Sequence, residues 1–474
     1  MQEFKDGKPN VLQYFTAQKL ERLMDFVLVD HKKLEEKRVA YKFPLTAAEI
    51  LSTPVARIYE FFGSTDEAGN MAYFEQLFSC IVDETGASVR EEINFTRAGY
   101  VNKIVSNLIS YKPQLFCDYV FKKPAITTAL VKHSYCKSIS ALLLSLLTLP
   151  AQDPNAANLG ISDITPNSST VSGSWAKDVL AARLAVFKLA VDEAIEISHL
   201  RDHSDASNNL CNLAISVLSK DQPEKDDYLR TFLSNQLDTV VDLFTENYHA
   251  GVNNRLGNIF LVVLDILIKE NDKQKYVEPA KLVTYFQKYA ALIAGNPKQA
   301  KSSHVRGRSI STFSAELTKT NINIYKVLEA LYMLIRYFAS TGKEWIVIES
   351  ELHKRIFAYY VNYAYNNVLH NQLQKILSFA VETSNKKLIN AFFVDNPAFY
   401  DFLGNLLLAT KDADSMRKSR KGYFGHAKAL ANSLIVYETK TGAPINSKLS
   451  RRSVAAVPRQ LPHGREHEGE SGAG

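Results

Sequence analysis

The chain has 474 residues, 46% of them hydrophobic and 22% charged, a globular composition that excludes collagen-like, disordered and disulfide-scaffold classes. Cys80, Cys117, Cys136 and Cys211 stand far apart with no C-x-x-C pair, which excludes a cysteine zinc module. The formal charge of +6 is concentrated in Pro297–Arg308, Lys411–Lys428 and the tail from Lys440, so the broad basic stripe of a nucleic-acid binder is missing.

In chain order, the start from Met1 to Asn10 is polar and lacks the apolar centre of a secretory signal. Val101, Ile104, Val105, Leu108 and Ile109 repeat at helical spacing and predict an amphipathic helix that stops before Lys112-Pro113. After the break Lys122-Lys123-Pro124, Ile139 to Leu149 is apolar almost all round and predicts a central helix. It is too short for a bilayer span, which needs about 20 residues. The expectation is therefore a reducing intracellular location, cytoplasmic and also nuclear. Pro150–Ser174, rich in Asn, Ser, Pro and Gly, predicts a flexible insertion. Helical stripes resume at Leu210, Leu213, Ala214, Val217 and Leu218, and again at Ile259, Val262, Val263, Ile266 and Leu267. Gly295–Phe313 is basic and Ser-rich and predicts an exposed loop. Two further stripes follow, at Phe399, Phe402, Leu403, Leu406 and Leu407 and at Ala427, Leu430, Ala431, Leu434 and Ile435. From Thr441 the tail has no stripe and predicts disorder.

Period-two alternation is missing, and comparable stripes recur roughly every 30–45 residues, the period of paired-helix arrays. One core seldom grows past about 250–300 residues, which favours an array over a single bundle. The predicted fold is an all-α, HEAT/armadillo-like α-solenoid over residues 1–440. It carries insertions at 150–174 and 295–313 and ends in a basic tail at 441–474.

Catalytic vocabulary is scarce. There is no G-x-S-x-G, no P-loop, no H-E-x-x-H and no EF-hand loop. His199 and His203 are four apart, yet lack a third ligand nearby and read as a solvated pair. Cys211, beside Leu210, reads as a packing residue. Gly422-Tyr423-Phe424-Gly425 imitates the GxxG loop of a KH module, but the helical stripe at Ala427 replaces the strands that module needs. The expectation is no enzyme, no metal and no cofactor.

The segment Arg420-Lys421-Gly422-Tyr423-Phe424-Gly425-His426, leading into the Ala427 stripe, resembles the R-K-G-Y-x-G-H segment of the SAPS family. Asn366-Asn367-Val368-Leu369-His370-Asn371-Gln372-Leu373-Gln374-Lys375-Ile376 is similar to that family's N-N-x-L-H-N-x-V-x-K-I. Tyr41-Lys42-Phe43-Pro44 with Ala48-Glu49-Ile50-Leu51, Asn102–Pro113 and Ser207–Cys211 resemble further family segments in the same order. The family consists of regulatory subunits of Sit4-like serine/threonine phosphatases, the phosphatase-6 class. The resemblance implies a regulatory and scaffolding subunit that holds the catalytic subunit and directs its substrate choice. An ankyrin-repeat subunit can join such complexes. The contrasting reading is a generic HEAT-repeat adaptor in transport or trafficking, which shares the stripes but should lack the Asn366–Ile376 and Arg420–His426 segments.

Leu369, Leu373, Ile376 and Leu377 form a stripe to be buried; His370, Asn371 and Lys375 are read as lying off it. Asn366, Asn367, His370, Asn371 and Lys375 are thus either a partner-facing strip or a helix cap with a histidine bonded to a neighbouring carbonyl. Arg420, Lys421, Tyr423 and His426 read as an exposed aromatic-plus-cation anchor, the alternative being that Tyr423 tucks into the last repeat. Arg306 and Arg308 stand three residues before Ser309 and Ser311, a spacing that a basophilic kinase reads, so both serines are candidate phosphorylation sites.

Overall fold

The computed structural model describes residues 2–6, 8–29, 41–66, 71–83, 93–149, 173–248, 255–269, 277–294, 311–312, 315–316, 323–363, 366–409 and 423–442. The chain divides into two compact units, Met1–Pro279 and Ala280–Gly474. Prolines set several helix starts. Pro113, Pro124 and Pro397 open the helices Pro113–Val120, Pro124–Lys132 and Pro397–Ala409, where a missing N–H costs nothing and the ring presets φ.

In the first unit, the helices Phe95–Tyr111, Lys137–Leu147, Ser204–Ser219 and Leu256–Lys269 pack each on the next as one layer. A second layer covers them. Gly173–Glu196 packs on Pro124–Lys132, Ser204–Ser219 and Lys225–Asn235, and Leu237–Glu246 packs on Leu256–Lys269. The stripes read from sequence fill the space between. Val101, Ile104, Val105, Leu108, Leu210, Ala214 and Val217 are fully buried, as are Leu142, Leu143 and Leu146 of the central helix. Such helix-on-helix layering is the α-solenoid arrangement.

Arginines tie the layers at helix ends. The last carbonyls of a helix have no partner within it and carry its negative dipole end, so a guanidinium is the natural cap. Arg57 Nε donates to Phe15 O at 3.0 Å, just after the helix Pro9–Tyr14. Arg97 Nη1 donates to Leu28 O, the last residue of Ala17–Leu28, at 2.9 Å. Arg183 is 1% exposed, and its Nε and Nη2 both donate to Leu147 O, the last residue of the central helix. Tyr228 donates to the same carbonyl at 2.7 Å, and Glu224 lies 3.5 Å from Arg183 Nη1.

The second unit repeats the scheme. Ile324–Ser340, Asn367–Glu382 and Phe424–Thr441 stack in order; Leu352–Asn362 packs on Asn367–Glu382, and Pro397–Ala409 on Phe424–Thr441. Two helices end in the same turn. Gly342 (φ 69°) and Ser384 (φ 53°) take the left-handed conformation. Lys343 N then reaches back to Phe338 O at 2.8 Å, and Asn385 N to Ala380 O at 3.1 Å. The Asn385 side chain donates to Glu344 at 3.1 Å, joining the two turns.

At the end of the stretch read as a basic loop, Ser311–Thr312 pairs antiparallel with Ala315–Glu316 just beyond it, a short strand pair the sequence reading did not foresee. The insertion read at 150–174 lies outside the described residues except that Gly173 already begins a helix, and the tail from Ala443 lies outside them. No helix among the described residues is long and apolar enough to cross a membrane.

Arg183→Ala should destabilise the protein by about 3–5 kcal/mol in urea melts, because it strands Glu224 as a buried, unpaired carboxylate. Arg183→Met combined with Glu224→Gln should cost clearly less.

Candidate functional site

Asn366–Ile376 and the end of Arg420–His426, the two segments that resemble the family's, meet in the second unit. Asn366 caps the helix Asn367–Glu382: its Oδ1 accepts from Leu369 N at 2.9 Å. Its amide also donates to the Tyr325 hydroxyl at 3.0 Å, which registers this helix against Ile324–Ser340. Asn367, the first helical residue, is exposed.

His370 is fully buried rather than off the stripe, and of the two sequence readings it follows the one of a histidine bonded to a neighbouring carbonyl: Nε2 lies 2.9 Å from Tyr360 O on the neighbouring helix. A carbonyl only accepts, so Nε2 carries the hydrogen, and Nδ1 is left buried with no hydrogen-bond partner. Burial holds the imidazole below its usual range; nearby His426 adds to this, while the Tyr360 and Asn366 carbonyls oppose it. The sequence carried a signal for this position. His370, Leu373, Leu377 and Val381 fall on one helical row, and all four are buried.

Tyr423 is likewise 4% exposed, not an exposed anchor. It precedes the helix Phe424–Thr441 and inserts its ring among Phe402, His370 and Tyr360, at centroid distances of 5.2, 5.6 and 5.9 Å. His426, one turn on, places Nε2 2.6 Å from Asn371 Oδ1. Asn371 and Lys375 are exposed, and Lys375 pairs with Glu329 at 2.9 Å. Of the site residues read from sequence, His370 and Tyr423 are therefore buried and Asn366 is half-buried. Asn367, Asn371 and Lys375 face outward, with His426 half-buried between. Arg420, Lys421 and Ser309 lie outside the described residues, as does the side chain of Ser311.

Outward residues of the three stacked helices form one face. Glu329, Tyr332 and Arg336 lie on the first helix; Val368, Asn371, Lys375 and Phe379 on the second; His426, Ala429 and Val436 on the third. Cross-helix contacts fix their register. Besides the Lys375–Glu329 and His426–Asn371 pairs, the rings of Tyr332 and Phe379 meet at 6.1 Å, and Arg336 lies over Tyr332. Val368 and Val436 are among the more exposed apolar side chains, at 57% and 50%. Sequence reasoning had not singled out Tyr332, Arg336 and Phe379, whose neighbours become visible only once the helices are stacked.

Elsewhere the chemistry is thin. Among the described residues, no group of three or more His, Cys, Asp or Glu side chains could hold a metal ion. His199 and His203 are both exposed, and His203 lies in a separate turn, Arg201–His203. All four cysteines are buried. Burial pushes the Cys80 thiol up to about 11 and that of Cys117 up to about 12, far from the thiolate a nucleophile needs.

Layered helices with a mixed aromatic, polar and cationic face define a helical-repeat scaffold. Residues 346–452 match the SAPS family, described as SIT4 phosphatase-associated protein. Over 97% of its length the chain is 22% identical to serine/threonine-protein phosphatase 6 regulatory subunit 3 of Gallus gallus, covering 53% of that protein. It is 20% identical to regulatory subunit 3-A of Xenopus laevis, over 97% of this chain and 54% of the relative. Regulatory subunit 1 of Mus musculus is 20% identical over 88% of this chain and 49% of its own length. The chain thus spans about half the length of the curated relatives it matches. Among solved structures, an engineered protein aligns at a TM-score of 0.32 with 11% identity, over 93% of this chain and 98% of that one, too loose a correspondence to bear on the fold.

Asn366→Ala should cost about 1 kcal/mol in thermal or urea melts through loss of the cap, whereas Asn367→Ala should stay within about 0.5 kcal/mol. Tyr423→Ala, which empties a ring-lined site, should cost about 3 kcal/mol.

Proposed function

We propose that this chain is a regulatory and scaffolding subunit that binds the catalytic subunit of a phosphatase-6-like serine/threonine phosphatase and directs its substrate choice. The observation that carries this reading is the SAPS match over residues 346–452, which takes in both family-like segments, together with relatives named phosphatase 6 regulatory subunits. In this reading the chain supplies no catalytic group, and the chemistry belongs to the partner.

The proposed docking surface is the face centred on Asn371 and Lys375, flanked by Tyr332, Arg336 and Phe379. Tyr332 and Phe379 are half-buried and Arg336 is exposed, and aromatic and arginine side chains are the residue types that anchor interfaces. Asn367 and His426 edge that face, and Arg420 and Lys421, next to Tyr423 in sequence, are proposed to add charged contacts. Asn366, His370 and Tyr423 support the face from beneath rather than touching the partner. An ankyrin-repeat subunit is a proposed third component, Ser309 and Ser311 are proposed phosphorylation sites, and the proposed location is cytoplasmic and nuclear.

The test is co-purification with a phosphatase-6 catalytic subunit. Asn371→Ala with Lys375→Ala should lower its affinity at least tenfold, about 1.4 kcal/mol. The chain should stay folded, since the exposed Lys375–Glu329 ion pair contributes about 0–1 kcal/mol and the Asn371–His426 hydrogen bond about 0.5–1.5 kcal/mol. Full affinity in a folded double variant would place docking elsewhere.

A further inference from the structure

Phe424–Thr441, the last described helix of the second unit, is fastened to its neighbour through two imidazoles. The rings of His370 and His426 lie 5.8 Å apart and are tilted by 34°. Each has Nε2 against an oxygen acceptor, Tyr360 O for His370 and Asn371 Oδ1 for His426, so each leaves Nδ1 as the unprotonated nitrogen. Both Nδ1 atoms are buried without a hydrogen-bond partner. Among the described residues, no ion pair joins either ring to a carboxylate.

The groups facing the pair come from every packed element. Tyr360 lies on Leu352–Asn362, and Tyr423 stands at the head of the last helix. Asn366 and Asn371 lie at the head of Asn367–Glu382, and Phe402 of Pro397–Ala409 closes on Tyr423. None of these supplies a negative charge; burial pushes the Tyr360 hydroxyl well up, so it stays neutral. A proton added at His370 Nδ1 would be a buried cation with no acceptor, facing a second basic ring.

We propose that the His370–His426 pair is a pH-sensitive latch: protonation of His370 releases Phe424–Thr441 from Asn367–Glu382 while the layers beneath stay folded. In the attached state the His370 imidazole is held below its usual value, chiefly by burial. In the released state it is solvated and returns to about 6.5. The released state therefore binds more protons below about pH 6.5, so attachment is full above that pH and weakens as pH falls toward the attached-state value. Releasing the last helix uncovers Leu430, Leu434 and the ring of Tyr423, and separates His426 from Asn371. The latch is a property of the fold and does not depend on the phosphatase reading.

The test is hydrogen exchange on the full chain at pH 7.5 and 5.5, with rates corrected for the intrinsic effect of pH. Protection within Phe424–Thr441 should fall at pH 5.5 by up to about tenfold, the limit set by the one unit between pH 5.5 and the released-state value of about 6.5. Protection within Ile324–Ser340 should hold. His370→Phe, which keeps a ring and cannot titrate, should abolish the pH effect. If that variant detaches at pH 7.5, the histidine NMR titration of the wild-type chain decides: the His370 ring must gain its proton together with the loss of protection. Equal protection at both pH values would overturn the latch. So would an equal loss in Ile324–Ser340, a pH effect that survives in attached His370→Phe, or a His370 ring still neutral after release.

Discussion

No helix of this chain can bury its apolar stripe alone; each depends on the helix of the next layer to cover it. That constraint explains why the same packing recurs, and why the residues that set register are polar. Apolar stripes are permissive about sliding along one another, whereas a hydrogen bond to a particular carbonyl is not. Arg57 on Phe15 O, Arg97 on Leu28 O, Arg183 on Leu147 O and Arg355 on Ala290 O each fix one helix against a much earlier one. Asn209 does the same from the Ser207–Cys211 segment, donating to Ser134 O at 2.8 Å. Much of what looks like a family signature in this chain is therefore joinery between layers.

The architecture was legible because burial imposes the helical period on apolar residues, and those residues are numerous. Val101 to Ile109 and Leu210 to Leu218 read as stripes and are buried as stripes. The prolines that end one helix read equally well, because they begin the next. What escaped were polar residues recruited into the interior. Arg183 carries no local mark of burial; the Leu147 carbonyl that holds it comes from another helix. His370 follows the row of Leu373 and Leu377, but sequence alone left it between a partner-facing residue and one bonded to a neighbouring carbonyl, and only the packed helices identify that carbonyl as Tyr360 O. Tyr423 was drawn to the surface by the cations beside it in sequence, whereas the structure seats it among Tyr360, His370 and Phe402.

This redistribution changes what the two family-like segments mean. A segment can be characteristic because it touches a partner or because it shapes the surface that does. Here the same stretch does both by helical phase: His370 turns inward, while Asn371 and Lys375 turn outward. Substitutions at adjacent positions should therefore separate foldedness from recognition, which a segment-wide deletion would confound.

The cross-layer bonds also set how the array responds to mechanical load. Tyr325–Asn366 and Glu344–Asn385 each span 41 residues, tying Asn367–Glu382 to the layer before it at both of its ends. Tension on the carboxyl end of Phe424–Thr441 would first meet that helix's contacts with Asn367–Glu382 and Pro397–Ala409. It would reach the Asn366 and Asn385 ties only after that helix had peeled away. Within this unit, extension should proceed in helix-sized steps from the carboxyl end, each step leaving the remaining layers intact, as in a ratchet rather than a spring.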